Sequence, residues 1–119
     1  MSMPDEIDNA KIAIALRSAR TAVGWNQQEF ADLMGVAKSS IARIETMEMS
    51  TKGDFLLRAI GLFREVGVNL ELFYAGRVEI KIEEPAIRKA MDMLKDEARR
   101  RTDRRTKTSP EHSLPVAKE

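Results

Sequence analysis

At 119 residues, 13.4 kDa and a formal net charge of +1, the chain has about the length of a single domain, so one small core is expected. Hydrophobic residues make up 43% and aromatic residues only 5%, which leaves burial mostly to Ile, Leu, Val, Ala and seven Met and favours helices. The absence of Cys excludes disulfides, thiolate metal sites and cysteine nucleophiles, and the single histidine, His112, has no second imidazole with which to hold a metal or relay a proton.

In chain order, Ile12, Leu16, Ala19 and Val23 recur at helical spacing, and the spacing predicts a first helix from about Ile7 that stops at Gly24. Asn26-Gln27-Gln28-Glu29 has the form of a capping box and opens a short second helix ending near Met34. Gly35 suits the left-handed conformation that ends a helix, and Val36-Ala37 allow only a tight connection before Lys38–Glu45 resumes helical spacing through Ile41 and Ile44. Thr51 and Asp54 form a further capping pair, and Phe55, Leu56, Ala59, Ile60 and Phe63 supply the apolar face of a fourth helix ending near Gly67.

The period then changes from 3.6 to 2. Val68, Leu70 and Leu72, then Val78, Ile80 and Ile82, alternate with polar residues across a Gly-containing turn, which indicates a β-hairpin. Pro85 suits the first turn of a last helix, whose Ile87, Met91, Leu94 and Ala98 fall on one face. From Thr102 onward Thr, Ser, Pro and charge dominate, so a disordered tail is expected. Charge is uneven along the chain: residues 1–87 carry 10 Lys/Arg against 13 Asp/Glu, and residues 88–119 carry 10 against 6. Arg99, Arg100, Arg101, Arg104, Arg105 and Lys107 form a cluster able to hold a polyanion, although a solvated helix end reads the same way.

Leu16-Arg17-Ser18-Ala19-Arg20, Gly24-Trp25-Asn26-Gln27-Gln28-Glu29-Phe30-Ala31 and Gly35–Glu45 follow in order and spacing the pattern of a known DNA-binding unit. Over about Ile7 to Val68 the chain resembles the helix-turn-helix domain of lambda-repressor-like regulators, the XRE family. The resemblance implies a four-helix helix-turn-helix domain (7–67); with the pattern readings above, the expected fold is mainly α, the domain being followed by a β-hairpin plus amphipathic helix (68–101) and a disordered basic tail (102–119). It places Lys38, Ser39 and Arg43 among the base-reading side chains of a third helix in the major groove. Gln27 resembles the glutamine that braces the DNA backbone, and Ser40, Thr46 and Lys52 are weaker phosphate candidates. Arg20 and Glu45 are expected to pair, as a structural ion pair and not as a catalytic dyad. Ala37 departs from the pattern, because many relatives carry a capping Ser or Thr there; its absence weakens the third helix's cap by up to about 1 kcal/mol.

The function this implies is a sequence-specific, homodimeric DNA-binding repressor of bacterial or phage type on a palindromic operator. Dimerisation is expected through Val78, Ile80 and Ile82, with the last helix as a second layer; packing of the hairpin on its own fourth helix is the alternative. A second reading is an antitoxin-type autorepressor that also binds a protein toxin. Enzymatic activity is not expected, since Glu83-Glu84 have no evident Lys or His partner, and no cofactor or metal is expected. No apolar run approaches the roughly 18–20 residues of a membrane span, and the acidic Met1–Asp8 lacks the order of a signal peptide, so a cytoplasmic location without membrane contact is expected.

Overall fold

Helix α1 (Glu6–Val23) turns Ala13, Ala15, Leu16, Ala19 and Val23 inward, the spacing expected of a single buried stripe. It is the first element of a computed structural model that describes residues 6–107, with side chains described as far as Arg101. Helices α2 (Gln27–Met34), α3 (Lys38–Glu45) and α4 (Gly53–Glu65) follow, then antiparallel strands β1 (Val68–Glu71) and β2 (Glu79–Ile82), and α5 (Glu84–Lys107).

The core forms where these faces meet. Phe30, Phe63, Leu16, Ile41 and Val68 are the largest fully buried side chains, each from a different element. Four of the chain's six aromatic residues gather there: Phe63 lies 5.2 Å from Phe30 and 5.5 Å from Trp25 between ring centroids, and Phe55 meets Phe30 edge-on at 6.5 Å. Such offset and edge contacts each add about 0.5–1.5 kcal/mol beyond area burial. A composition poor in aromatics thus spends most of them on one contact between α2 and α4.

The hairpin pairs Val68 with Ile82 and Leu70 with Ile80, which puts the alternating apolar residues on one face of the sheet. That face is turned onto α1 and α4, with Val68, Leu70 and Leu72 buried and Val78 and Ile80 packed against the core at its margin. At the hairpin tip, the Arg77 guanidinium lies 4.0 Å from the centre of the Tyr74 ring, and Lys11 of α1 donates to the Tyr74 carbonyl at 2.6 Å.

Two expectations need correction. Helix α4 does not use the Thr51–Asp54 capping pair: its N-cap is Lys52, without a side-chain cap bond, and the Asp54 carboxylate accepts from the adjacent Phe55 N–H instead. The change of composition at Thr102 does not end α5, which continues to Lys107; Arg and Lys are good helix formers, and a polar composition is no obstacle to a helix. The rest of the expected tail lies outside the described residues. On α5, the face that docks is not the one with the largest apolar residues. Ala86 is buried, and Ala90 and Met93 are half-buried, while Ile87, Met91 and Leu94 remain exposed.

Phe63→Ala is expected to lower the free energy of unfolding by about 3–5 kcal/mol, because it empties the centre of the aromatic cluster. Urea titration followed by the fluorescence of Trp25, the chain's single tryptophan, measures it.

Candidate nucleic-acid interface

Helices α2 and α3 are held by signals at both ends of α2. Asn26 accepts from the Glu29 N–H at 2.7 Å, and the Glu29 carboxylate accepts from the Asn26 N–H at 2.8 Å, a complete capping box. At the other end Gly35 adopts φ 71° and ψ 33°, a left-handed conformation costly for a residue with a Cβ, and the Val36 N–H closes back onto the Ala31 carbonyl at 3.0 Å. The chain therefore reverses within three residues and starts α3 at Lys38.

Helix α3 is anchored by Ile41 and Ile44, which are buried, and by Glu45, the one charged residue classed as buried among the described residues. At about 100° per residue, Ser39 and Arg43 occupy the opposite arc and are exposed there, whereas Lys38 lies on the same side as Glu45 and is exposed because it is the first residue of the helix. Its N-cap, Ala37, makes no side-chain cap bond.

The Glu45 carboxylate lies where α1, α2 and α3 converge, with its side chain only 2% exposed. Arg20 of α1 meets it with two parallel bonds, Nε to Oε2 at 2.7 Å and one terminal nitrogen to Oε1 at 3.0 Å, while its other terminal nitrogen donates to the Trp25 carbonyl at 2.8 Å. Gln27, the first residue of α2, adds a bond from Nε2 to Oε1 at 3.1 Å. A buried carboxylate is tolerated because every side of it is answered by a donor, and no buried side-chain polar atom lacks a partner among the described residues.

A helix-turn-helix family model matches residues 16–65, from the buried Leu16 of α1 to the last residue of α4. Those residues form an XRE-family, lambda-repressor-like helix-turn-helix domain. Comparison with curated proteins and with solved structures gives no match. The XRE domain is a DNA-binding module of transcriptional regulators, a family that is typically without enzymatic activity. No described helix is long and apolar enough to cross a membrane, and no group of acidic or His side chains among the described residues is arranged to hold a metal ion.

Within the XRE domain the other expected contact residues fall into two sets. Ser40 and Lys52 line one cleft between α3 and α4, together with Arg58. Thr46 lies at the far end of α3, where its hydroxyl is within 3.0 Å of the Ala42 carbonyl and 3.1 Å of the Glu48 carboxylate, a setting that does not favour phosphate. Gln27 is only half-buried, so the side chain that binds Glu45 also borders the exposed start of α2. Arg58 escaped the sequence reading because an arginine on the exposed side of a helix looks like any solvated charge. Its donation to the Met34 carbonyl at 3.3 Å, across 24 residues of sequence, is what fixes it beside the cleft.

Of the hairpin residues, Val78 and Ile80 are partly covered by the protein's own core, whereas Ile82 is 43% exposed. Arg20→Ala should destabilise the domain by about 3–5 kcal/mol by leaving Glu45 buried without its cation. Replacing both partners with Met should recover most of that loss, and chemical denaturation of the three variants against the parent measures the difference.

Proposed function

We propose that the protein is a dimeric, sequence-specific repressor of bacterial or phage type, acting in the cytoplasm, that reads a palindromic operator with α3. The observation that carries this reading is the split character of α3 inside the XRE domain. One face is locked to the core by Ile41, Ile44 and the bonded Glu45, the opposite face presents Ser39 and Arg43, and the first turn presents Lys38. A rigid short helix with cationic and hydroxyl side chains on its free face suits the major groove, where Lys and Arg donate to guanine O6 and N7 and Ser either donates or accepts.

The start of α2 contributes partial positive charge from its N-terminal amides, and Gln27 stands there to meet a phosphate. Ser40, Lys52 and Arg58, sharing a cleft beside α3, supply a second backbone contact. These contacts position the domain without reading sequence. One domain covers few base pairs, so a two-fold dimer spanning half-sites about 34–36 Å apart gives the needed specificity. Occupancy of promoter DNA then excludes polymerase, and control rests on protein concentration, proteolysis or a partner.

Selection of duplexes from a random library should return a palindrome. On that duplex Arg43→Ala is expected to weaken binding by about 1–3 kcal/mol while hardly affecting random DNA, whereas shortening the chain after Thr102 should weaken both and flatten the salt dependence. Fluorescence anisotropy at several salt concentrations measures both effects. Equal losses on both duplexes would remove Arg43 from the base-reading set.

A further inference from the structure

Helix α5 carries two apolar stripes side by side. Ala86, Ala90 and Met93 form the inner one: Ala86 sits against Gly67, after α4, and Met93 lies so close over Gly24, at the end of α1, that a Cβ on that glycine would overlap its thioether. One position further along, Ile87, Met91, Leu94 and Ala98 form the outer stripe at spacings of four, three and four, the heptad seam of a helix pair. Ile87, Met91 and Leu94 are 54%, 44% and 63% exposed. With Ile82 they line an open groove of about 980 Å³ between α5 and the end of α1.

We propose that a second copy of the chain covers this stripe with its own α5 in antiparallel orientation, Met91 of one chain meeting Leu94 of the other and Ile87 meeting Ala98. The inference rests on the dimeric reading above and names its interface. Charge selects both the occupant and the direction. Arg99, Arg100 and Arg101 follow one another towards the far end of α5, while Glu83 and Glu84 stand at its root, where Glu84 also pairs with Arg88 of its own helix. In antiparallel register, residue 101 of one copy comes level with residue 84 of the other, so each basic end lies over an acidic root. A parallel pair would bring the two basic ends together, which like-charge repulsion opposes.

The seam is also self-complementary about a two-fold axis midway between Met91 and Leu94, as a symmetric dimer requires. Ile82 lies beside the seam, so the hairpin edge borders this interface without being its centre.

The chain has no native Cys, so single cysteines report position cleanly. With a short bis-maleimide, I87C mixed with A98C should cross-link, and R101C should not link to itself, its two copies being about 25 Å apart along the axis at 1.5 Å rise per residue. Efficient self-linking of R101C would overturn the antiparallel arrangement. In parallel, sedimentation of the full chain at about 10 µM should show a dimer, and Leu94→Glu, a change at an exposed position, should raise the dimer dissociation constant at least about tenfold with unchanged circular dichroism.

A parent chain that sediments as a monomer overturns the interface, as does a dimer untouched by Leu94→Glu. Binding of the parent to its selected palindrome is read separately. Retained binding with an unaffected dimer sinks the α5 interface alone, whereas a dimer that passes the cross-linking test but selects no DNA sinks the regulator reading alone.

Discussion

The placement of α3 depends on one buried carboxylate. Glu45 ends the helix that presents Lys38, Ser39 and Arg43, and it is held from α1 by the Arg20 fork and from α2 by Gln27. Apolar contacts through Ile41 and Ile44 bring α3 onto the core, but such contacts are non-directional and tolerate small rotations. Two parallel charge-assisted bonds do not, because a planar guanidinium meets a carboxylate well only in one orientation. The network therefore converts a greasy contact into a fixed angle. Gln27 is the hinge of this arrangement chemically, since one side chain ties the end of α3 to the α2 start nearest the proposed phosphate contacts.

Local signals were legible wherever their causes are local. The Asn26–Glu29 box, the reversal at Gly35 and the switch of period at Val68 each act over a few residues, and each stands where the sequence pattern indicated. The start of α4 was misread because Thr51 and Asp54 satisfy a capping pattern that competes with a bond available to Asp54 next door. Lys38, Ser39 and Arg43 are indicated by the family resemblance, and the helical period by itself accounts for the exposure of Ser39 and Arg43 only. The Gln27–Glu45 and Arg58–Met34 bonds join residues 18 and 24 positions apart, and nothing in a linear pattern announces them.

Helix α5 shows a different kind of ambiguity. The largest apolar residues of α5 are in the stripe of Ile87, Met91 and Leu94, whereas the docked stripe is the smaller one of Ala86, Ala90 and Met93. Small residues let a helix approach closely, and closeness is what the end of α1 demands, with Ala22 and Gly24 facing the contact region. The larger stripe is thereby left for something outside the chain's own core. A helix that divides its apolar residues by size in this way has two separate seams, and composition cannot say which of them is internal.

The joint between α1 and α5 also lies outside every residue expected to touch DNA. Met93 over Gly24 sets the direction in which α5 leaves the XRE domain, and in a pair joined through α5 that direction fixes how far apart the two α3 helices stand. Base identity and half-site spacing are thus written in different parts of the molecule. A substitution at the Gly24–Met93 joint would leave the letters of an operator half-site unchanged and alter the number of base pairs between the halves, so that spacer length could evolve without passing through a protein that has lost its reading surface.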